Sequence, residues 1–142
     1  MNLSIHSTTE VANAAAMDCL AAWLTSPGTR TIMPAAGGLD VLVPGLGQNG
    51  HLGFNEPGST EDSFGRLFNL ENISIEANRK WFGGDYAPAK GLTIGMKTIL
   101  AARRILIMAH GAHKTNAVKA MVEGPRTASC PASFLQGHPD AR

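Results

Sequence analysis

The chain has 142 residues, 44% of them hydrophobic and 16% charged, with a formal net charge of +1. That composition excludes a disordered chain. The near-zero charge gives no electrostatic case for nucleic acid or an anionic membrane as the main partner. The length allows one domain, 1–142, with a real core. No apolar run approaches bilayer length, and no basic region followed by an apolar core marks a signal peptide. Cys19 and Cys130 form neither a disulfide framework nor a CxxC pair. The expectation is a cytoplasmic protein with reduced, buried thiols.

In chain order, Leu3 to His6 reads as a first strand. Ser7 and Glu10 have capping-box spacing, and Val11, Ala15, Cys19 and Trp23 recur on one face of the helix that follows. Ser26-Pro27-Gly28 stops it. Thr31 to Met33 and Asp40 to Val43 read as strands, with Val41 to Val43 buried. Arg66 to Ile75 is ambiguous and is compatible with a strand; residues 78–90 read as loop. Leu92 to Ile94 reads as a strand and Met96 to Arg103 as a short helix. Ile105 to Met108 reads as a buried strand, Ala112 to about Glu123 as a helix, and Pro131 to Gln136 as a last short helix. Strands alternating with helices predict an α/β fold with a mainly parallel sheet and flanking helices.

Residues 43–60 concentrate the chemistry. Gly45, Gly47, Gly50 and Gly53 surround His51, and Glu56 follows between Asn55 and Pro57. Gly45-x-Gly47-x-x-Gly50 spells the dinucleotide-binding fingerprint, with Glu71 about twenty residues on. The fingerprint requires a helix to begin inside the glycine run. Gly53, Asn55, Pro57 and Gly58 argue against one, so no nicotinamide cofactor is expected. A histidine beside a carboxylate can instead move protons near neutral pH.

The phrase from Asn49 through Gly50-His51-Leu52-Gly53-Phe54-Asn55-Glu56-Pro57 to Ser59 resembles the signature of the glucosamine-6-phosphate deaminase/isomerase family. It is most similar to the galactosamine-6-phosphate isomerase branch. Gly91 to Gly95, Gly111 to Lys114 and Pro131 to Leu135 follow in family order. The related 6-phosphogluconolactonases share the Gly-His but lack Phe-Asn-Glu-Pro. The resemblance implies a Rossmann-like fold and conversion of an aminosugar 6-phosphate to the ketose 6-phosphate plus ammonia, without cofactor or metal. It implies that His51 opens the sugar ring, paired with Glu56. Asn49 stands where an Asp usually joins the relay, which leaves His51 and Glu56 to run it alone. Phosphate binding falls to Gly37, Gly38 and Gly50 and to Arg66, Lys80 and Lys114. Lys114 also lies in the first turn of a predicted helix, where an anion is favoured.

The implied partner is a small-molecule sugar phosphate. His110 and His113 lack a third ligand for a metal. His138 reads as structural, and Trp23 and Trp81 as packing residues. One place departs from the family pattern. Thr31–Met33 and Asp40–Val43 are separated by six residues, whereas parallel neighbours need a crossover of roughly a dozen or more. Ala35-Ala36-Gly37-Gly38 resembles the start of a phosphate turn, and Gly37-Gly38-Leu39-Asp40 resembles the approach to the motif strand. The expectation is a missing internal segment near 37–38 and a C-terminus before the family's last strand and helix. The Asp that moves the C2 proton falls in that segment, so activity is expected to be impaired. Sheet edges left by missing strands would favour a homo-oligomer or aggregation. A lactonase and a non-catalytic sugar-phosphate binder are the competing functions.

Overall fold

The structure, a computed structural model, describes residues 38–84 and 86–142. The strands expected at 3–6 and 31–33, the helix between them, Cys19, Trp23 and Gly37 lie outside the described residues. Element order is β1 (Val41–Leu42), β2 (Arg66–Asn69), α1 (Asn72–Asn78), a 3₁₀ turn (Arg79–Phe82), β3 (Lys90–Thr93), α2 (Met96–Leu100) and β4 (Arg104–Ile105). A second 3₁₀ turn (Ala112–Lys114), α3 (Thr115–Glu123) and a third 3₁₀ turn (Pro131–Gly137) complete it.

β1 and β4 are parallel, with Val41 opposite Arg104 and Leu42 opposite Ile105. Backbone bonds extend the pairing beyond the formal strands. Leu106 and Met108 donate to the carbonyls of Leu42 and Pro44, and Leu46 donates back to Met108. On the other side of β4, Ile105 and Ile107 donate to Asp140 and Arg142, and Arg142 donates to Ile105. β4 is therefore the centre of three parallel segments. Asp140–Arg142 supplies a strand-like edge that was not expected from the sequence.

β2 and β3 form a separate antiparallel pair, with Arg66 opposite Thr93 and Asn69 opposite Lys90. The expectation of a mainly parallel sheet thus holds for β1 and β4 and is corrected for β2 and β3. The ambiguous 66–75 stretch is a strand that turns directly into α1, whose Ser74 is its one buried residue. Within the supposed loop, Arg79–Phe82 continues α1 as a 3₁₀ turn that ends on Gly83.

The core lies on one face of the parallel sheet. Ile105 is fully buried there with Leu46, Leu52, Met96, Ile99, Ala117, Phe134 and Leu135. Met96 and Ile99, three apart, turn the same face of α2 inward. Ser63 caps α2, its Oγ accepting from Met96 N–H and its carbonyl from Lys97 N–H. The Gln136 amide donates to the carbonyls of Met121 and Gly124, which α3 leaves without intrahelical partners.

The opposite face differs from expectation. Val41 and Val43 are each 52% exposed and Met108 is 65% exposed. Side chains alternate across a strand. Helices and turns cover only the Ile105 side, so among the described residues the Val41, Val43, Leu106 and Met108 face is uncovered. An apolar run alone does not distinguish a strand buried on both faces from one buried on a single face.

Truncation at the core centre tests this packing. Ile105→Ala is expected to lower the unfolding free energy by about 2–5 kcal/mol, the usual range for emptying a buried aliphatic site. Val122→Ala, on the exposed side of α3, is expected to change it by less than about 0.5 kcal/mol. Urea unfolding of both variants measures the contrast.

Candidate functional site

The chain leaves the β1 ladder at Leu46 and turns sharply. Gly47 N–H donates to the His51 carbonyl and Gly50 N–H to the Gly47 carbonyl. Two glycines are required here for different reasons. Gly50 has φ +83°, and a Cβ on it would meet Cys130 Sγ; left-handed backbone and close approach both demand glycine. Gly47 lies flat against the His51 imidazole, so any side chain there would displace the ring.

Downstream, Asn55 is fully buried and fixes the loop to β3. Its amide nitrogen donates to the carbonyls of Leu52 and Ile94 and to Thr93 Oγ1. Its Oδ1 accepts from Arg66 Nη1 at 3.0 Å, while Arg66 Nη2 donates to Ser59 Oγ at 2.6 Å. The same guanidinium lies over the Phe68 ring. Arg66 is thus engaged by the loop that carries Glu56 and does not line the cleft described below.

Glu56 is fully buried, and one of its oxygens gathers the site together. Oε2 accepts from Asn49 Nδ2 at 2.6 Å and lies 3.1 Å from His51 Nδ1. Ser74 Oγ, from α1, lies 3.2 Å from the same Nδ1. Oε1 is buried without a partner among the described residues. Burial, the largest single influence, pushes the Glu56 carboxyl up. The hydrogen bonds of His51, Ser74 and Asn49 and the His51 charge together outweigh it, so the group sits below its ordinary value. A carboxylate can only accept, so Nδ1 of His51 carries the proton that faces it. Nε2 then remains as the ring atom able to exchange a proton with a ligand.

His51 lines a cleft of about 400 Å³ together with Gly45, Gly47, Gln48, Phe54 and Ser74, and with Lys80, Trp81 and Lys114. That volume falls in the range of small-molecule sites. Burial first, and then the Lys80 charge, pull the Lys114 ammonium below its ordinary range. Two cations therefore face the same space as the imidazole. A more open groove of about 470 Å³ along α3 shares Lys114 but holds no proton-transfer pair.

The structure brings together His51, Glu56, Asn49, Lys80 and Lys114. Gly50 instead packs on Cys130, and Gly38 has φ +77°; neither is among the residues lining the cleft. Lys114 ends a 3₁₀ turn and caps α3 from outside, rather than sitting within its first turn. Trp81, expected to pack, is 74% exposed at the cleft. His138 is structural as expected: it bonds the Ala102 carbonyl through Nε2 and accepts from Asp140 N–H. Sequence reasoning missed Ser74 and the Asn55–Arg66–Thr93 brace. Ser74 stands 23 residues from His51 in a segment whose helix was not read. Its only signal was helical spacing with Ala77.

Two measurements follow from this geometry. Arg66→Met strands the Asn55 and Ser59 acceptors and is expected to cost about 1–3 kcal/mol of stability. Arg66→Lys should not restore it, because an ammonium lacks the planar fork; thermal unfolding reports both. For Glu56 the folded carboxyl titrates below its ordinary value of 4.5. Between the two values the unfolded chain binds more protons. Its stabilising contribution is present above 4.5 and is lost as pH falls through the folded value. Glu56→Gln should therefore flatten the acid side of the stability profile.

Residues 2–141 match the family described as glucosamine-6-phosphate isomerases/6-phosphogluconolactonase. Among curated relatives, the glucosamine-6-phosphate deaminase of Rhodopirellula baltica is 48% identical over 111 residues, covering 78% of this chain and 44% of the relative. That of Hahella chejuensis is 50% identical over 108 residues, covering 75% and 41%. A monomeric glucosamine-6-phosphate deaminase of the NagB superfamily superposes with a TM-score of 0.74 at 38% identity, covering 78% of this chain and 46% of that structure. The 6-phosphogluconolactonase of Trypanosoma brucei, at 19% identity and a TM-score of 0.57, covers 99% and 53% and shares the fold alone. The chain spans less than half the length of the curated relatives it matches. Its α/β fold is Rossmann-like, as in the NagB superfamily, and the chain belongs to the glucosamine-6-phosphate isomerase/6-phosphogluconolactonase family.

Proposed function

We propose that this chain binds an aminosugar 6-phosphate and carries the ring-opening part of the isomerase/deaminase reaction. The observation that supports this most is the His51–Glu56 pair opening on a cleft that also holds Lys80 and Lys114. The two ammonium groups suit a phosphate dianion. With Nδ1–H held toward Glu56, Nε2 can take the proton of the anomeric hydroxyl. The C1–O5 bond then breaks as C1=O1 forms, and the imidazolium returns its proton to the ring oxygen. Glu56 stabilises the transient imidazolium and needs no proton of its own. Asn49 orients Glu56 as a donor and takes no proton.

Isomerisation also needs a base for the C2 proton, and no residue of the described cleft supplies a second carboxylate. We read 1–142 as one domain of the family with a segment missing near 37–38. Loss of such a base removes about 10²–10⁴-fold of rate, so ammonia release is impaired while ring opening persists. The Gly45-Leu46-Gly47-Gln48-Asn49 phrase supports galactosamine-6-phosphate as substrate, and the names of the relatives support glucosamine-6-phosphate. A phosphorylated substrate and the free buried Cys130 suit the cytoplasm.

Ring opening is measurable without deamination, because it interconverts the anomers of the sugar. Exchange NMR on both aminosugar phosphates should show anomer interconversion faster than in buffer, and His51→Ala should abolish the acceleration. Lys114→Ala should weaken sugar-phosphate binding by about 10–100-fold, the worth of a charge-assisted contact. Binding without acceleration would leave a sugar-phosphate binding protein, and hydrolysis of 6-phosphogluconolactone would favour the lactonase reading. Ammonia release at the rate of a full-length relative would overturn the impairment.

A further inference from the structure

We propose that Ser74 is a positioning residue that holds the His51 imidazole in one orientation against Glu56. The inference deepens the ring-opening reading and rests on it for its catalytic consequence. Its geometric part stands on the side chains alone.

Ser74 is 2% exposed, the one buried residue of α1. A buried serine in a helix commonly bonds the carbonyl of the preceding turn. Ser74 makes no such bond; its Oγ faces His51 Nδ1 at 3.2 Å. The same nitrogen lies 3.1 Å from Glu56 Oε2. Nδ1 has one hydrogen when the imidazole is neutral, and the carboxylate requires it. Ser74 Oγ can then accept only the outer share of that N–H. Its own hydroxyl hydrogen is left to donate to Glu56, the acceptor that also receives Asn49. The serine thereby closes a three-membered arrangement in which each group leaves the others one way to point.

No other group described around the ring can replace it. Gly47 lies flat on the imidazole and offers no side chain. Phe54 sits with its ring centroid 6.5 Å away and has no polar atom. Asn49 reaches Glu56 and the His51 backbone rather than the ring. The charged groups sharing the cleft, Lys80 and Lys114, can only donate and cannot serve the Nδ1–H. Removing the Ser74 hydroxyl leaves the ring held at Nδ1 by Glu56 alone, so the Nδ1–H tautomer stays while the imidazole gains freedom to rock about that one bond.

Two readouts test the role. With the imidazole neutral, long-range ¹⁵N–¹H spectra should show His51 as the Nδ1–H tautomer; His51→Ala assigns the signals. Ser74→Ala should keep that tautomer, which Glu56 fixes, but broaden the ring signals as the imidazole gains freedom, and Ser74→Thr, which keeps the hydroxyl, should return the sharp ones. The accelerated anomer interconversion should fall roughly 10–100-fold in Ser74→Ala, the order expected for a displaced proton carrier. Apparent affinity for the sugar phosphate should stay within about twofold of the unsubstituted chain. Ser74→Thr should recover the rate. Unchanged ring signals in Ser74→Ala, or equal behaviour of the two variants, would overturn the proposal. If the unsubstituted chain opens no sugar ring, the function proposed above fails, while the spectra still decide the role of Ser74.

Discussion

Everything in the site depends on placing one carboxylate where water cannot reach it. Glu56 is fully buried, and a buried anion is tolerated only when donors are aimed at it. Asn49, His51 and Ser74 supply them from the glycine loop and from α1. The requirement explains why this stretch of loop is so rigidly built. A loop that drifted by an ångström would strand the charge.

The rigidity comes from outside the motif. Asn55 is pinned by Thr93 and Ile94 at the end of β3 and by Arg66 at the start of β2. Arg66 and Thr93 are also ladder partners. The antiparallel pair therefore acts as a frame for the Glu56 loop, while the parallel β1–β4 pair launches the His51 turn. Two small sheets meet at one hydrogen-bonded couple. The helix that leaves β2 carries Ser74 to the imidazole, and the 3₁₀ turn that continues it carries Lys80 to the same cleft.

Much of this was legible in the residues. The Gly-His and Asn-Glu-Pro spellings located the pair, and no helix begins directly after Gly50, as the glycines and Pro57 implied. Lys114 followed from the family resemblance and from a place in the first turn of a helix that in fact begins at Thr115. What stayed hidden has physical causes. Arg66 looked like a phosphate ligand because a sequence shows a charge but not the acceptors that hold it. The 66–75 stretch combined a strand and a helix with no breaker between them, so its periodicity belonged to neither. Ser74 inside it carried no motif. Burial of Val41 and Val43 was misjudged because apolarity says nothing about which faces of a strand are covered.

The contact between Gly47 and the His51 ring carries a thermodynamic consequence. A surface histidine samples several rotamers and must give up that freedom each time it meets a ligand. Here the bare peptide at Gly47 blocks one face of the imidazole, and Glu56 and Ser74 hold its edge. The ordering entropy is lost once, as the chain folds. A ligand entering the cleft meets an imidazole already at rest in one pose.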